Sequence, residues 1–318
     1  MKKDRREIAL IVPCYNEHET LDTFVETCDR FLEPLKESCD FLFIFIDDGS
    51  KDITLKIIKE LASQRDDVRY ISFSKNSGKE RGLYAGFCAA QALDVDACIP
   101  MDVDLQDPPE LIPEFLRYWE EGYDYIYAHM NSRKGQKLVK RLLSSSFYRI
   151  YSRMSGDDLI ESGDRDYCLM DRKVLDAFVS LKERSRFNRG VADFVGFKRK
   201  RVDYDYVERS QGKSKYNLKR MLSYSKDAFV EFTSAGLLVP KLFILLSLAG
   251  LVTFTVLGIL SIIGEWYLVP VIIFSITFVV SILARVIMGL LYNIRDEVRD
   301  RPLFFIADTN VENLHIDW

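Results

Sequence analysis

Apolar blocks alternate with amphipathic stretches through the first 130 positions of this 318-residue chain. Residues 8–13, 41–46, 68–73, 97–101 and 123–128 are short runs rich in Ile, Val, Phe and Tyr, and each predicts a strand. Between them, helical spacing predicts helices over 19–36, 53–64, from Lys79 to near Leu93, and over 109–121. Strands that are apolar at nearly every position, separated by helices, indicate an α/β protein with a mostly parallel sheet covered on both faces. Past Met130 the pattern loosens. It predicts a basic amphipathic helix over 137–154, a loop over 161–172 entering a strand or turn, and a helix over 173–181. Weaker signals follow at 190–197 and 201–206, then an amphipathic helix over 215–232.

Two later runs differ in kind. Residues 242–264 hold 23 positions, and residues 266–284 hold 19, without a charged side chain. As helices they are about 29–35 Å long, enough to cross a bilayer core of about 30 Å. The link Gly264-Glu265-Trp266 carries no Lys or Arg, whereas Lys241, Arg285, Arg295, Arg299 and Arg301 flank the outer ends. This asymmetry predicts a multi-pass protein of the cell (inner or plasma) membrane, with the large domain and both termini cytoplasmic. Met1-Lys2-Lys3-Asp4-Arg5-Arg6 runs straight into the first strand, so no leader is expected. The expected organisation is a catalytic domain over 1–215, an interfacial helix region over 216–236, two spans over 237–291 and a cytoplasmic tail over 292–318.

The net charge of −4 changes little, but residues 196–226 carry ten Lys/Arg against three Asp/Glu just before the first apolar run. That basic strip suits anionic lipid. Six cysteines at 14, 28, 39, 88, 98 and 168 show no paired spacing, and reduced, mostly buried thiols are expected.

Every polar cluster falls at a strand's C-terminal end, where open α/β sheets bind ligands. The fourth strand stops at Asp102-Val103-Asp104-Leu105-Gln106. Alternate residues at a strand end can share a face, so both carboxylates can point into one cleft. With the Gln106 amide they suit Mg²⁺ or Mn²⁺, which take oxygen ligands and leave positions open for phosphate. A solvated acidic turn is the bland alternative. Asp48, in Asp47-Asp48-Gly49-Ser50, can accept from a pyrimidine imide or a ribose hydroxyl; a plain turn and helix cap is the alternative there. Arg209 and Lys215 bracket a glycine and suit a loop closing on a diphosphate, or on lipid headgroups. There is no G-x-x-x-x-G-K-[ST] and no G-x-G-x-x-G, and His18, His129 and His315 are scattered. Nothing points to acyl-enzyme chemistry or to a nucleic-acid partner. The remaining parts support displacement at a carbon bearing a nucleotide diphosphate.

In order along the chain stand Pro13-Cys14-Tyr15-Asn16-Glu17, Ile46-Asp47-Asp48-Gly49-Ser50 and Asn76-Ser77-Gly78-Lys79. Asp102-Val103-Asp104-Leu105-Gln106-Asp107-Pro108-Pro109-Glu110, Arg186-Phe187-Asn188-Arg189-Gly190, Arg209 with Lys215, and the tail from Ile294 to Pro302 follow. This series resembles the family 2 glycosyltransferases of the polyprenyl-phosphate hexose synthase type, among them dolichyl-phosphate mannose synthase and bacterial undecaprenyl-phosphate glucosyltransferases with two C-terminal spans. The resemblance covers nearly the whole chain. It implies a GT-A fold (a Rossmann-like, mostly parallel sheet) followed by two transmembrane helices. It also implies inverting transfer of a hexose from a nucleotide diphosphate sugar, with UDP-glucose, UDP-GlcNAc or UDP-galactose expected, to undecaprenyl or other polyprenyl phosphate.

By the same resemblance Pro13, Tyr15, Glu17, Ile46 and Asp48 hold base and ribose. Asp102, Val103, Asp104 and Gln106 line the metal and diphosphate site, with Asp104 foremost. Arg209 and Lys215 clamp the diphosphate, and Arg141 and Ser145 meet the acceptor phosphate. Relatives imply a homo-oligomer and a role in cell-envelope glycan modification. The chain departs from the pattern at His129-Met130 and at Cys168, where relatives often carry Arg; Arg133 and Arg165 lie nearby. A processive polysaccharide synthase is a second expectation, weakened because Arg186-Phe187-Asn188-Arg189-Gly190 stands where Q-x-x-R-W is required. A silent nucleotide-sugar-binding scaffold is a third, opposed by the intact Asp102/Asp104 pair.

Overall fold

The computed structural model describes residues 5–131, 164–181, 194–205 and 302–312, with 314, 316 and single helical positions between 272 and 298. The chain divides into two compact units: residues 1–148, 158–216 and 301–318 in one, and residues 149–157 and 217–300 in the other.

The first unit is built on one eight-stranded sheet. Its strands are β1 (Arg6–Cys14), β2 (Cys39–Asp47), β3 (Val68–Phe73), β4 (Ala97–Pro100), β5 (Tyr125–Met130), β6 (Asp164–Asp171), β7 (Arg199–Tyr204) and β8 (Ile306–Thr309). Helices α1 (Leu21–Leu32), α2 (Thr54–Gln64), α3 (Lys79–Ala92), α4 (Ile112–Glu120) and α5 (Arg172–Ser180) connect them. The spatial order is β7-β5-β6-β4-β1-β2-β3-β8. β1 pairs in parallel with both β2 and β4, and β2 in parallel with β3. The chain therefore winds outward from β1 to β3, then returns to β4 on the other side of β1. That reversal is the topological switch point, where ligands bind beyond the strand C-termini.

Side chains on both faces of the central strands are buried, which is why these strands read as unbroken apolar runs. Ile8, Leu10 and Val12 join Phe24, Phe43, Phe45 and Phe115 in one core layer. Ala9 and Ile11, on the opposite face, are equally buried. There α3 lies so close that a Cβ at Gly86 would stand 2.2 Å from Ile11 Cγ2. Phe87 of α3 meets Phe178 of α5 edge to face at 5.7 Å.

Two strands run against the rest. Residues 164–171 form β6, antiparallel to β4 and β5, where the sequence pattern predicts a loop entering a strand or turn. Tyr167 and Leu169 fill one face and Cys168 and Met170 the other, all buried; the flanking Asp and Arg residues mask that alternation in the sequence. β8, from the segment expected to be a tail, pairs antiparallel with β3. Phe304, 1% exposed, stacks on Phe73 at 4.3 Å. Asn310 continues the ladder with its side chain: Oδ1 accepts from Tyr70 N at 2.7 Å and Nδ2 donates to Val68 O at 3.1 Å.

In the second unit, described positions between 272 and 298 are helical. Ile276, Val280, Ile287, Leu291, Ile294 and Val298 are exposed there at helical spacing. Among the described residues no helix is long and apolar enough to cross a membrane. The runs expected to span, 242–264 and most of 266–284, lie outside the described residues, as does the amphipathic helix over 215–232.

Candidate functional site

The four inner parallel strands end in loops that each hold one residue at positive φ: Asn16 (53°) after β1, Gly49 (66°) after β2, Gly78 (99°) after β3 and Leu105 (58°) after β4. A left-handed turn lets each loop fold back over the sheet edge instead of running on. Only glycine adopts it without cost; a bulky residue such as Leu105 is rare there and marks a place where surrounding contacts over-determine the backbone.

The β1 and β2 loops are zipped together. Ser50 Oγ accepts from Asn16 N at 2.9 Å, Asn16 Oδ1 from Lys51 N at 2.8 Å, and Thr54 Oγ1 from Glu17 N at 2.9 Å. Pro13, Tyr15 and Glu17 are half-buried along this seam, and Ile46 is fully buried beside it. Asp48 is 5% exposed. Its two oxygens accept from Ser77 N (2.5 Å) and Gly78 N (2.9 Å), so it holds the β3 loop over the sheet edge. Burial holds the Asp48 carboxyl above the usual range, against the opposing pull of those two amides. Gly49 faces the same loop so closely that a Cβ there would lie 2.6 Å from Lys75 C.

The β4 loop is internally fixed. Asp107 Oδ2 accepts from Asp102 N at 2.9 Å, and Asp104 Oδ1 accepts from Gln106 N at 3.1 Å. Tyr167 Oη donates to Pro108 O at 2.8 Å and pins the loop's exit. Asp104 is 9% exposed, Gln106 is half-buried, and the Val103 side chain belongs to the core.

Sequence reasoning missed two groups here. Lys79, first residue of α3, puts its Nζ 2.7 Å from Asp102 Oδ1 and 3.4 Å from Asp166 Oδ2. Burial works against its ammonium, but Asp102, Asp166 and Asp107 outweigh it and hold Lys79 above the usual lysine range. Asp166 comes from the antiparallel strand β6, which is why spacing in the sequence could not bring it to Asp102. The signal for Lys79 was its place directly after Asn76-Ser77-Gly78 at a helix start.

Among the described residues no three His, Cys, Asp or Glu side chains group to hold a metal ion. What the β4 loop offers is two carboxylates and an amide, all hard oxygen donors. That set fits Mg²⁺ or Mn²⁺, which take one or two carboxylates and complete their shell with water and substrate phosphate. Cys168 is 1% exposed, opposite Tyr127, and Met130 is half-buried against the core. All six cysteines are buried thiols outside any disulfide. Arg141, Ser145, Arg209 and Lys215 lie outside the described residues.

The model of the family described as "Glycosyl transferase family 2" matches residues 9–178. An uncharacterized glycosyltransferase of Bacillus subtilis, YkcC, is 37% identical over 96% of this chain and 95% of its own length. A prophage bactoprenol glucosyl transferase homolog of Escherichia coli is 35% identical, covering 85% of this chain and 83% of the relative. The bactoprenol glucosyl transferase of Shigella phage SfV is 36% identical over 72% of each chain.

Proposed function

The chain belongs to glycosyl transferase family 2 and is a glycosyltransferase, and we propose that it moves a hexose from a nucleotide diphosphate sugar to undecaprenyl or another polyprenyl phosphate, with inversion. The observation that carries the reading is the convergence of Asp48, Lys79 and the Asp102–Asp104 loop on the C-terminal edge of the sheet at its switch point. The polyprenyl acceptor is taken from the relatives named bactoprenol glucosyl transferases.

Asp48 and the zipped loops of Pro13, Tyr15, Glu17 and Ile46 line the place for base and ribose. Asp102, Asp104 and Gln106 would hold a Mg²⁺ or Mn²⁺ ion, which offsets charge developing on the leaving nucleotide diphosphate. Arg209 and Lys215 add cations on the same leaving group. A lipid phosphate is an anionic nucleophile near neutral pH, so no strong general base is required. Positioning and charge compensation supply the rate.

The acceptor calls for a bilayer. The uncharged runs 242–264 and 266–284 are long enough to cross one. Exposed apolar side chains from Ile276 to Val298 suit hydrocarbon better than water. β8 lies in the same sheet as strands that precede both runs, so a chain crossing a bilayer between them crosses it an even number of times. This supports two spans, with the catalytic unit and the tail on one side; the charge pattern makes that side cytoplasmic.

The test is direct. Purified full-length protein with Mn²⁺ or Mg²⁺, undecaprenyl phosphate and a panel of UDP- and GDP-sugars is expected to form a mild-acid-labile lipid-linked sugar. Asp104→Ala is expected to abolish it. Donor consumption with no sugar reaching the lipid would overturn the acceptor assignment, and full activity in Asp104→Ala would overturn the metal site.

A further inference from the structure

Lys79 stands at the point where the proposed site keeps its negative charge. Asp102 reaches it from the β4 loop and Asp166 from β6, at 2.7 and 3.4 Å. Asp107, buried beneath the same loop, and Asp104, 9% exposed, add two more carboxyl groups nearby in the chain. The Lys79 side chain is 32% exposed and that of Asp102 27%, so the pair sits at the rim of the sheet edge and not deep in the core.

A divalent ion and the ammonium make competing demands on Asp102. Mg²⁺ or Mn²⁺ binds a carboxylate oxygen at about 2.0–2.2 Å. An ammonium in contact with the same carboxylate would stand a few ångströms from that ion, and like charges at this range repel strongly where solvent is partly excluded. Asp102 is the carboxylate that both cations would engage, so each weakens the other's hold on it. A nucleotide diphosphate relieves that competition, accepting the metal on one side and a displaced ammonium on the other.

We propose that Lys79 is a positioning residue that acts as a resident counter-cation: its ammonium holds Asp102 and Asp166 in the donor-free enzyme and makes divalent-metal binding conditional on arrival of the nucleotide diphosphate. The inference rests on the divalent-ion reading of the Asp102–Asp104 loop. Its consequence is an order of events. Metal binds weakly alone and tightly with nucleotide, and by linkage the nucleotide binds more tightly with metal by the same factor.

The experiment reads metal binding without catalysis. Full-length protein is titrated with Mn²⁺, and free Mn²⁺ is followed by its electron paramagnetic resonance signal, with and without UDP. In the wild type UDP is expected to tighten Mn²⁺ at least tenfold. Lys79→Met is expected to bind Mn²⁺ alone at least tenfold more tightly than the wild type, and the tightening by UDP should shrink by the same factor. Lys79→Gln, neutral but differently shaped, should behave as Lys79→Met does, and Lys79→Arg, which keeps the charge, as the wild type. Unchanged or weaker Mn²⁺ binding in both neutral variants overturns the proposal. So does tight binding by Lys79→Arg, or no Mn²⁺ binding by any of the proteins. Failure of the glycosyl-transfer reading shows separately, as wild-type protein that forms no lipid-linked sugar.

Discussion

Truncating one side chain near the C-terminus tests whether the last strand is part of the catalytic unit. Phe304 is 1% exposed and stacks on Phe73, 3% exposed, at 4.3 Å. Replacing a buried Phe by Ala costs about 3–5 kcal/mol, of which the ring pair supplies about 0.5–1.5. β8 lies at the sheet edge, so that loss falls first on its docking rather than on the whole fold. Taking the lower bound of about 3 kcal/mol, the undocked population rises by roughly two powers of ten. Two amides report it: Tyr70 N, which donates to Asn310 Oδ1, and Ser74 N, which donates to Phe305 O. Phe43 N, which donates to Asp67 O between β2 and β3, is the internal control. In Phe304→Ala, hydrogen exchange at Tyr70 and Ser74 should accelerate about 100-fold, with Phe43 far less affected. Ser74 also leads into the loop held by Asp48, so donor affinity should fall. Equal acceleration of all three amides would make Phe304 an ordinary core residue, and either that outcome or no change in any of them would refute separate docking of the last strand.

Gly49→Ala combines a left-handed backbone with a Cβ 2.6 Å from Lys75 C, and should cost about 2–5 kcal/mol in urea unfolding while raising donor KM, because the displaced loop carries Ser77 and Gly78. Gly86→Ala meets Ile11 Cγ2 at 2.2 Å; overpacking of about 1–3 kcal/mol should lower Tm with little change in the donor KM of the protein that remains folded. Arg65 binds Asp29 and Asp67 with four hydrogen bonds of 2.5–2.9 Å, and its hydrogen bonds hold the Asp67 carboxyl below the usual range. A depressed carboxyl stabilises above its unfolded pKa and loses that contribution as pH falls through the folded one. The stability gap between wild type and Arg65→Met should therefore be widest near neutrality and shrink below about pH 4, measured by denaturant titration at each pH.

What was legible in the sequence was periodic or local. The apolar runs at β1 to β4 declared a parallel sheet because both their faces are buried. The polar residues directly after them lie at the C-terminal edge of the sheet because a strand's end and its loop are adjacent in the chain. Asp48 and Asp102 were visible for that reason. So were the uncharged runs of 23 and 19 residues, whose length is fixed by rise per residue alone.

Tertiary structure decided what depends on partners distant in the chain. β8 is four residues long and finds its partner β3 more than 230 positions earlier; no local pattern encodes that pairing. β6 brings Asp166 to Lys79 across 87 positions. The sequence shows Asp102 and Asp104 as a pair of carboxylates one residue apart, expected to hold a metal. The fold adds that one of them is already matched by an ammonium, because the start of α3, the β4 loop and β6 meet at the same sheet edge. Spacing along the chain reports chemistry only while the groups share one element; once charge is balanced between three, only their meeting in space can show it.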